Sequence, residues 1–186
     1  MKPNSQVQED NGRKANEASL TEIVSRDIRE EGIILPFDRT IHNAPVKKLI
    51  ANLGQYSGGA KNPSDIQGDG FSINVYALKG DIAGFIAHCQ LANSEGQGFR
   101  YIGFVSVDPT YQRKGIMKSL VQYVELRSRE PLFGLVHKTN DVSLKACQDY
   151  GFICVGEKSG KFYELLKGMS AEDYVSPFND TRENLK

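Results

Sequence analysis

The chain has few cysteines, no long apolar run and no net charge. Its three cysteines, Cys89, Cys147 and Cys154, form no Cys-x-x-Cys pair and leave an odd count. That excludes a disulfide framework, argues against a zinc site, and points to reduced thiols in a cytoplasmic setting. No stretch approaches the ~18 apolar residues of a membrane span. Nor is there an apolar leader near the start or a lipidation ending. With 23 Lys/Arg against 23 Asp/Glu, the basic excess that phosphate neutralisation needs is missing, which argues against a nucleic-acid partner. Neither a Walker A loop nor a three-glycine dinucleotide fingerprint occurs. A Gly-x-Ser-x-Gly nucleophile elbow is missing too, and nothing else supports a Ser-His-Asp or Cys-His nucleophile.

What is present is ordinary for a soluble domain: 186 residues, 39% hydrophobic and 25% charged, enough to bury a core. The charge is uneven. Residues 1–32 hold 5 Lys/Arg against 7 Asp/Glu and residues 168–186 hold 2 against 4, leaving 16 against 12 between them. A mildly basic middle with two acidic ends suits a local anion site. Residues 1–18 are polar without apolar periodicity and read as a flexible tail. Residues 19–167 read as the domain, and 168–186 as a polar extension with apolar anchors at Tyr174, Val175 and Phe178.

Within the domain, Ser19 and Glu22 form a possible capping box for a helix over 20–29. "GIILPF" predicts an edge strand ending at Pro36, and "APVKKLIANLG" a helix with Val46, Leu49, Ile50 and Leu53 on one stripe. The Gly/Asn/Asp-rich run from Tyr56 to Gly70 predicts a loop. Phe71–Leu78 and Ile82–Leu91 make a hairpin, followed by a strand over Phe99–Val107. Alternation puts Tyr101, Val105 and Val107 on one face of that strand and Ile102 and Phe104 on the other, so both faces are covered. Ile116, Met117, Leu120, Val121 and Val124 form a helical stripe that Pro131 ends, with Glu125 and Arg129 spaced as an i,i+4 pair. "LFGLVHK" is a strand. A helix capped by Asn140 or Asp141 follows, its inner face carrying Val142, Ala146, Cys147 and Tyr150, and a hairpin across Lys158–Gly160 closes the domain. The fold class is α/β, a mixed, mostly antiparallel central sheet flanked by helices.

The chemistry gathers at "VDPTYQRKGIMKSL". Helix N-termini offer unpaired backbone N–H groups and partial positive charge, so the amides from Arg113 to Met117 could cradle a phosphate. Gly115 lets the chain turn and a ligand approach, while Arg113 and Lys114 add charge. An ordinary strand-to-helix turn with solvated basic residues reads equally well.

This stretch resembles the acyl-CoA signature of the GNAT superfamily of N-acyltransferases, Gln/Arg-x-x-Gly-x-Gly/Ala after a strand, with Gln112 and Gly115 in place and Met117 at the small-residue position. A second signature is matched in register by Asn140, Ser143, Gly151 and Phe152, after Val136. The resemblance spans 32–167. It implies acetyl-CoA as the acyl donor, its pyrophosphate on the amides of Gln112, Arg113, Lys114, Gly115, Ile116 and Met117. It further implies a pantetheine arm along the strand of Val105 and Val107, and a backbone N–H near Val107 polarising the thioester carbonyl. Asn140, Ser143 and Cys147 belong to the same cofactor set. The family's usual tyrosine, which protonates the leaving sulfur, falls on Cys147, and Tyr150 lies one helical step away as a substitute. No metal is implied.

Candidates for the base that deprotonates an amine are His88, on the central hairpin and facing either the cleft or a covering helix, and Asp108 at the strand end. His42 and His137 read as surface or packing residues. Tyr56, Asp65, Asp69, Lys161 and Tyr163 fall in the regions where the family docks its acceptor, and the acidic pair could attract a cationic amine. The expected activity is direct acetyl transfer to a primary amine of a small molecule, peptide or protein. The alternatives are a GNAT-fold acyl-CoA-binding regulatory module without turnover, and an interaction protein whose acidic ends recruit partners.

Overall fold

The computed structural model describes residues 32–178, so the expected tail and the expected helix over 20–29 lie outside the described residues. Seven strands form one sheet in the order β1-β2-β3-β4-β5-β7-β6. They are β1 (Ile33–Pro36), β2 (Ser72–Leu78), β3 (Asp81–Ala92), β4 (Gly98–Val107), β5 (Leu132–His137), β6 (Ile153–Lys158) and β7 (Phe162–Lys167). Among these neighbours only β4 and β5 run parallel. The mixed, mostly antiparallel sheet flanked by helices is the architecture expected.

Among the described residues four α-helices cover it: α1 (Arg39–Ala51), α2 (Pro63–Gly68), α3 (Ile116–Glu125) and α4 (Asp141–Asp149). α3 and α4 pack on one face, where Ile116, Leu120, Val121 and Val124 meet Ala83, Ile86 and Leu165. α1 and α2 pack on the other, burying Val46, Leu49, Ile50 and Ile66 against Ile73, Val75, Phe85 and Ala87. α3 lies close to the sheet because Gly84 has no side chain. A Cβ there would stand 2.9 Å from the Ser106 carbonyl oxygen and 3.2 Å from Ile116.

Several elements depart from the sequence expectation. α1 starts five residues earlier than Ala44, because the Asp38 side chain accepts from the Thr40 N–H and caps it, and Pro45 sits inside the helix without ending it. The expected loop holds a 3-10 turn (Gly54–Ser57) and the short helix α2, whose capping box joins Asn62 and Asp65. Glu125 does not pair with Arg129. Its carboxylate accepts from Lys167 and from the Tyr150 hydroxyl. Val142, expected on the inner face of α4, is 82% exposed.

β4 also departs from simple alternation. Its register against β3 jumps from His88↔Ile102 to Ala87↔Phe104, so Gly103 is an extra, unpaired residue. Such a bulge resets the side-chain alternation. Ile102 therefore joins Val105 and Val107 on the α3/α4 face, while Tyr101 and Phe104 both reach the Phe71 ring on the opposite face. Both faces are covered as expected, but Tyr101 and Ile102 are exchanged between them.

Beyond β7 the chain folds back over β4, β5 and β7. Phe178 contacts the Tyr101 and Phe133 rings, and Tyr174 those of Phe99 and Phe133. The carboxylate of Glu164, 5% exposed, accepts from the Tyr174 and Ser176 hydroxyls at 2.9 Å each. Asn93 donates to the Val175 carbonyl. Tyr174 and Phe178 thus pack their rings onto this face, while Val175 is held through its backbone carbonyl.

Candidate active site

β4 and β5 pair only over Arg100–Ile102 and Leu132–Gly134. Past the bulge they part, and a cavity of about 210 Å³ opens between them. Ile102, Val105, Val136 and Cys147 are among its lining residues, as are Asn140, Ser143 and Met117. The Asp108 N–H donates to the Ala83 carbonyl across β3. Strand alternation then turns the N–H groups of Val105 and Val107 the other way, toward the gap.

The turn after β4 leads to the N-terminus of α3. Pro109–Tyr111 form a 3-10 turn, Gln112 is extended, and Arg113 takes a left-handed conformation (φ 62). Gly115 is also left-handed (φ 76) and no side chain caps the helix. The first intrahelical bond runs from Ser119 N–H to the Gly115 carbonyl, which leaves the amides of Ile116, Met117 and Lys118 without helical partners. A Cβ built on Gly115 meets nothing within 4 Å, so the approach to these amides is open. Gln112, Arg113 and Lys114 are exposed. Met117 packs against the core and lines the cavity, so it is both a packing residue and part of the wall.

On the far wall the Asn140 side chain accepts from the Ser143 N–H and caps α4. The Cys147 thiol faces the cavity, and burial pushes its pKa up to about 11, so it stays protonated at neutral pH. Tyr150 does not line the cavity. Its hydroxyl donates to Glu125 Oε2 at 2.6 Å and its ring lies under the Lys167 ammonium at 3.7 Å. Burial, then the hydrogen bond to Glu125, holds that phenol well above its ordinary pKa.

Neither expected base reaches the cavity. Asp108 caps the turn, accepting from the Thr110 N–H at 2.9 Å and from Lys48 Nζ at 3.2 Å, and these bonds, Thr110 first, hold its carboxyl below the usual range. His88 faces α3, bonded through Nε2 to Asn74 Oδ1 at 3.0 Å. Asp65 is spent on the Lys61 and Asn62 N–H groups, and neither it nor Asp69 lines the cavity.

Two residues outside the expected acid and base candidates come forward: His137, read from the sequence as surface or packing, and Tyr56, expected only in the acceptor region. His137, at the end of β5, lines the cavity, with Nδ1 2.8 Å from Thr139 Oγ1 and its ring tilted against Tyr56 and edge-on to Phe162. Tyr56 reaches across from the 3-10 turn to Thr139, its hydroxyl 3.3 Å from Thr139 Oγ1. The available signal was position: His137 ends the strand that forms one wall, just ahead of Asn140. Among the described residues no group of three His, Cys, Asp or Glu could hold a metal ion, and no helix is long and apolar enough to cross a membrane.

The model of the acetyltransferase (GNAT) family matches residues 46–152. Among solved structures, smu.2055 from Streptococcus mutans aligns at 19% identity and a TM-score of 0.59, over 75% of this chain and 99% of that one. Arabidopsis thaliana Naa50 in complex with the bisubstrate analogue CoA-Ac-MVNAL aligns at 15% and 0.55, over 74% and 99%. The ribosomal-protein-S18-alanine N-acetyltransferase of Escherichia coli aligns at 15% and 0.54, over 78% and 99%. No curated protein matches the chain by sequence.

Proposed function

Because the chain belongs to the acetyltransferase (GNAT) family, we propose that it moves the acetyl group of acetyl-CoA directly to a primary amine seated between β4 and β5. The observation that carries this reading is the parting of the two strands past Gly103, which leaves β4 edge amides facing a cavity that ends near an uncapped helix N-terminus. Acetyl-CoA supplies the activated thioester. Its phosphates suit the open amides of Ile116, Met117 and Lys118, with Arg113 and Lys114 beside them, and the open space at Gly115 leaves their approach clear.

The chain's own residues have separable tasks. The Val105 and Val107 N–H groups would steady an oxyanion, a donor worth roughly 3 to 4 kcal/mol in other acyl-transfer enzymes. His137 is the imidazole in the cavity wall and takes the acceptor's proton, its orientation held by Thr139. Cys147, kept neutral by burial, can donate its proton to a departing thiolate, and water serves the same end. Leu53, Tyr56, Phe104 and Phe162 give the acceptor side apolar walls, and among the described residues no carboxylate lines the cavity. That favours an amine carried on an apolar body, such as a peptide N-terminus, over a polyamine.

Release of free CoA thiol in the presence of amine and peptide acceptors tests the proposal. Binding of CoA with silence across both sets favours the second reading, an acyl-CoA-binding module without turnover, to which a thiol in place of a tyrosine hydroxyl at Cys147 lends weight. Absence of any thermal shift with CoA at about a hundredfold over a plausible Kd, where roughly 2.7 kcal/mol is expected, would sink both.

A further inference from the structure

A second cavity, of about 460 Å³, lies under the C-terminal end of α3. It is separate from the β4–β5 cleft, and Arg100 on its floor is seven residues before Val107, roughly 24 Å along an extended strand. Side chains from three adjacent strands form the floor: Asn74 of β2, His88 of β3 and Arg100 of β4. Tyr123 and Arg127, in and just after α3, form the roof.

The polar groups here are unevenly satisfied. His88 Nε2 bonds Asn74, but its Nδ1 is buried without a hydrogen-bond partner among the described residues. Buried polar atoms are rarely left so, because an unmet one costs about 1 to 3 kcal/mol. Arg100 is partly neutralised by Glu130, its Nη2 3.3 Å from the carboxylate. Arg127 has no carboxylate partner among the described residues; its guanidinium lies 3.8 Å over the Tyr123 ring and reaches the Tyr123 carbonyl at 3.5 Å. Against two guanidiniums stand one carboxylate and the partial negative charge of a helix C-terminus, about half a unit. The cavity is therefore net positive.

We propose that this cavity is a binding site for a small oxyanion, a carboxylate or a phosphate, held by Arg127 and Arg100 above the His88 imidazole on its floor. His88 Nδ1 is buried, so the anion acts on the ring through its charge, which favours the imidazolium and couples binding to proton uptake. Burial, and behind it the Arg100 guanidinium, holds the free imidazole below its ordinary 6.5. An anion held in the cavity by the two guanidiniums opposes both effects. The other groups facing His88 are Asn74, Tyr123, Arg127 and, through Arg100, Glu130, none of which supplies a negative charge in direct contact. The site thus links occupancy to proton concentration at the end of the sheet remote from the proposed acetyl transfer.

The test is a titration of the full chain with inorganic phosphate, and in parallel with acetate, read from the imidazole resonances of its three histidines. His88→Gln assigns the signal. One of the two probes should move the His88 resonance saturably, with a Kd on the order of 1 mM, and raise its apparent pKa by about one unit, a tenfold change in proton affinity. Arg127→Ala should weaken that response about tenfold, and Gly115→Asp should leave it intact. The arm that responds separates a phosphate ligand from a carboxylate one. A His88 signal unmoved by either probe, or moved equally with Arg127 removed, overturns the proposal. None of these outcomes depends on acetyl transfer, so the proposed function stands or falls separately.

Discussion

Replacing Gly115 separates two consequences of the same position. At φ 76 and ψ 4 the residue is left-handed, a conformation that costs a side-chain-bearing residue about 1 to 2 kcal/mol. No atom lies within 4 Å of a Cβ built there, so Gly115→Ala adds strain without a clash. Its expected stability loss of about 1 kcal/mol corresponds to a Tm fall of roughly 2 to 4 °C for a chain of this size. Gly115→Asp carries the same strain plus a negative charge beside the amides of Ile116, Met117 and Lys118. At an effective dielectric of about 20, a carboxylate ~4 Å from a phosphate charge costs about 4 kcal/mol, and exposure to salt reduces this toward ~2 kcal/mol. CoA affinity in the Asp variant should therefore fall about 30-fold below the Ala variant at equal Tm. Isothermal titration with CoA on all three proteins, alongside thermal melts, measures both quantities. Ala and Asp variants binding CoA within threefold of each other would refute the placement of the phosphates.

Three further outcomes follow from side chains around the two cavities. Tyr150→Phe should leave thiol release within about twofold of the parent while lowering stability by about 1 kcal/mol in denaturant titration, since its hydroxyl serves Glu125; a turnover loss beyond tenfold would return Tyr150 to the reaction. Thiol labelling at pH 7.5 should modify exposed Cys154 first and Cys147 slowly, because a pKa of about 11 leaves only about one Cys147 in three thousand ionised; equal rates would contradict its burial. The folded-state value of His88 lies below 6.5, so the unfolded chain binds more protons between the two values. Its contribution to stability is then complete above about pH 6.5 and is lost as pH falls through the folded value. His88→Gln should flatten that part of the stability curve, and an unchanged slope would show that His88 does not set it.

Much of this architecture is legible in the sequence because its signals are local. The stripe of α3, the Asn140 cap, the closing hairpin and the edge strand at Pro36 each follow from spacing within a few residues. The two short signatures located the α3 turn and the α4 cap, and Asn140, Ser143, Cys147, Val105 and Met117 do line one cavity. The features that resisted sequence reading are set by distant partners. Nothing near Gly103 announces a bulge, because the bulge is a mismatch in length between β4 and β3. Glu125 has Arg129 at the right helical spacing, yet Lys167 and Tyr150 arrive from β7 and α4 and take its carboxylate. Asp38 and the Asn62–Asp65 box were readable caps, obscured by Pro45 and by a glycine-rich composition. His88 sits on a strand whose two faces are equally apolar, so alternation could not say which face it takes.

Glu164 has a bearing on how the chain is made. Its carboxylate is buried by β7 but satisfied by Tyr174 and Ser176, which follow it in the chain. During synthesis the N-terminal parts emerge first, so β1 to β4 and the helices over them can form while Glu164 still lacks both hydroxyls. A buried carboxylate without donors opposes docking of the β5–β7–β6 portion. Docking of that half is thereby coupled to the arrival of residues 174–178.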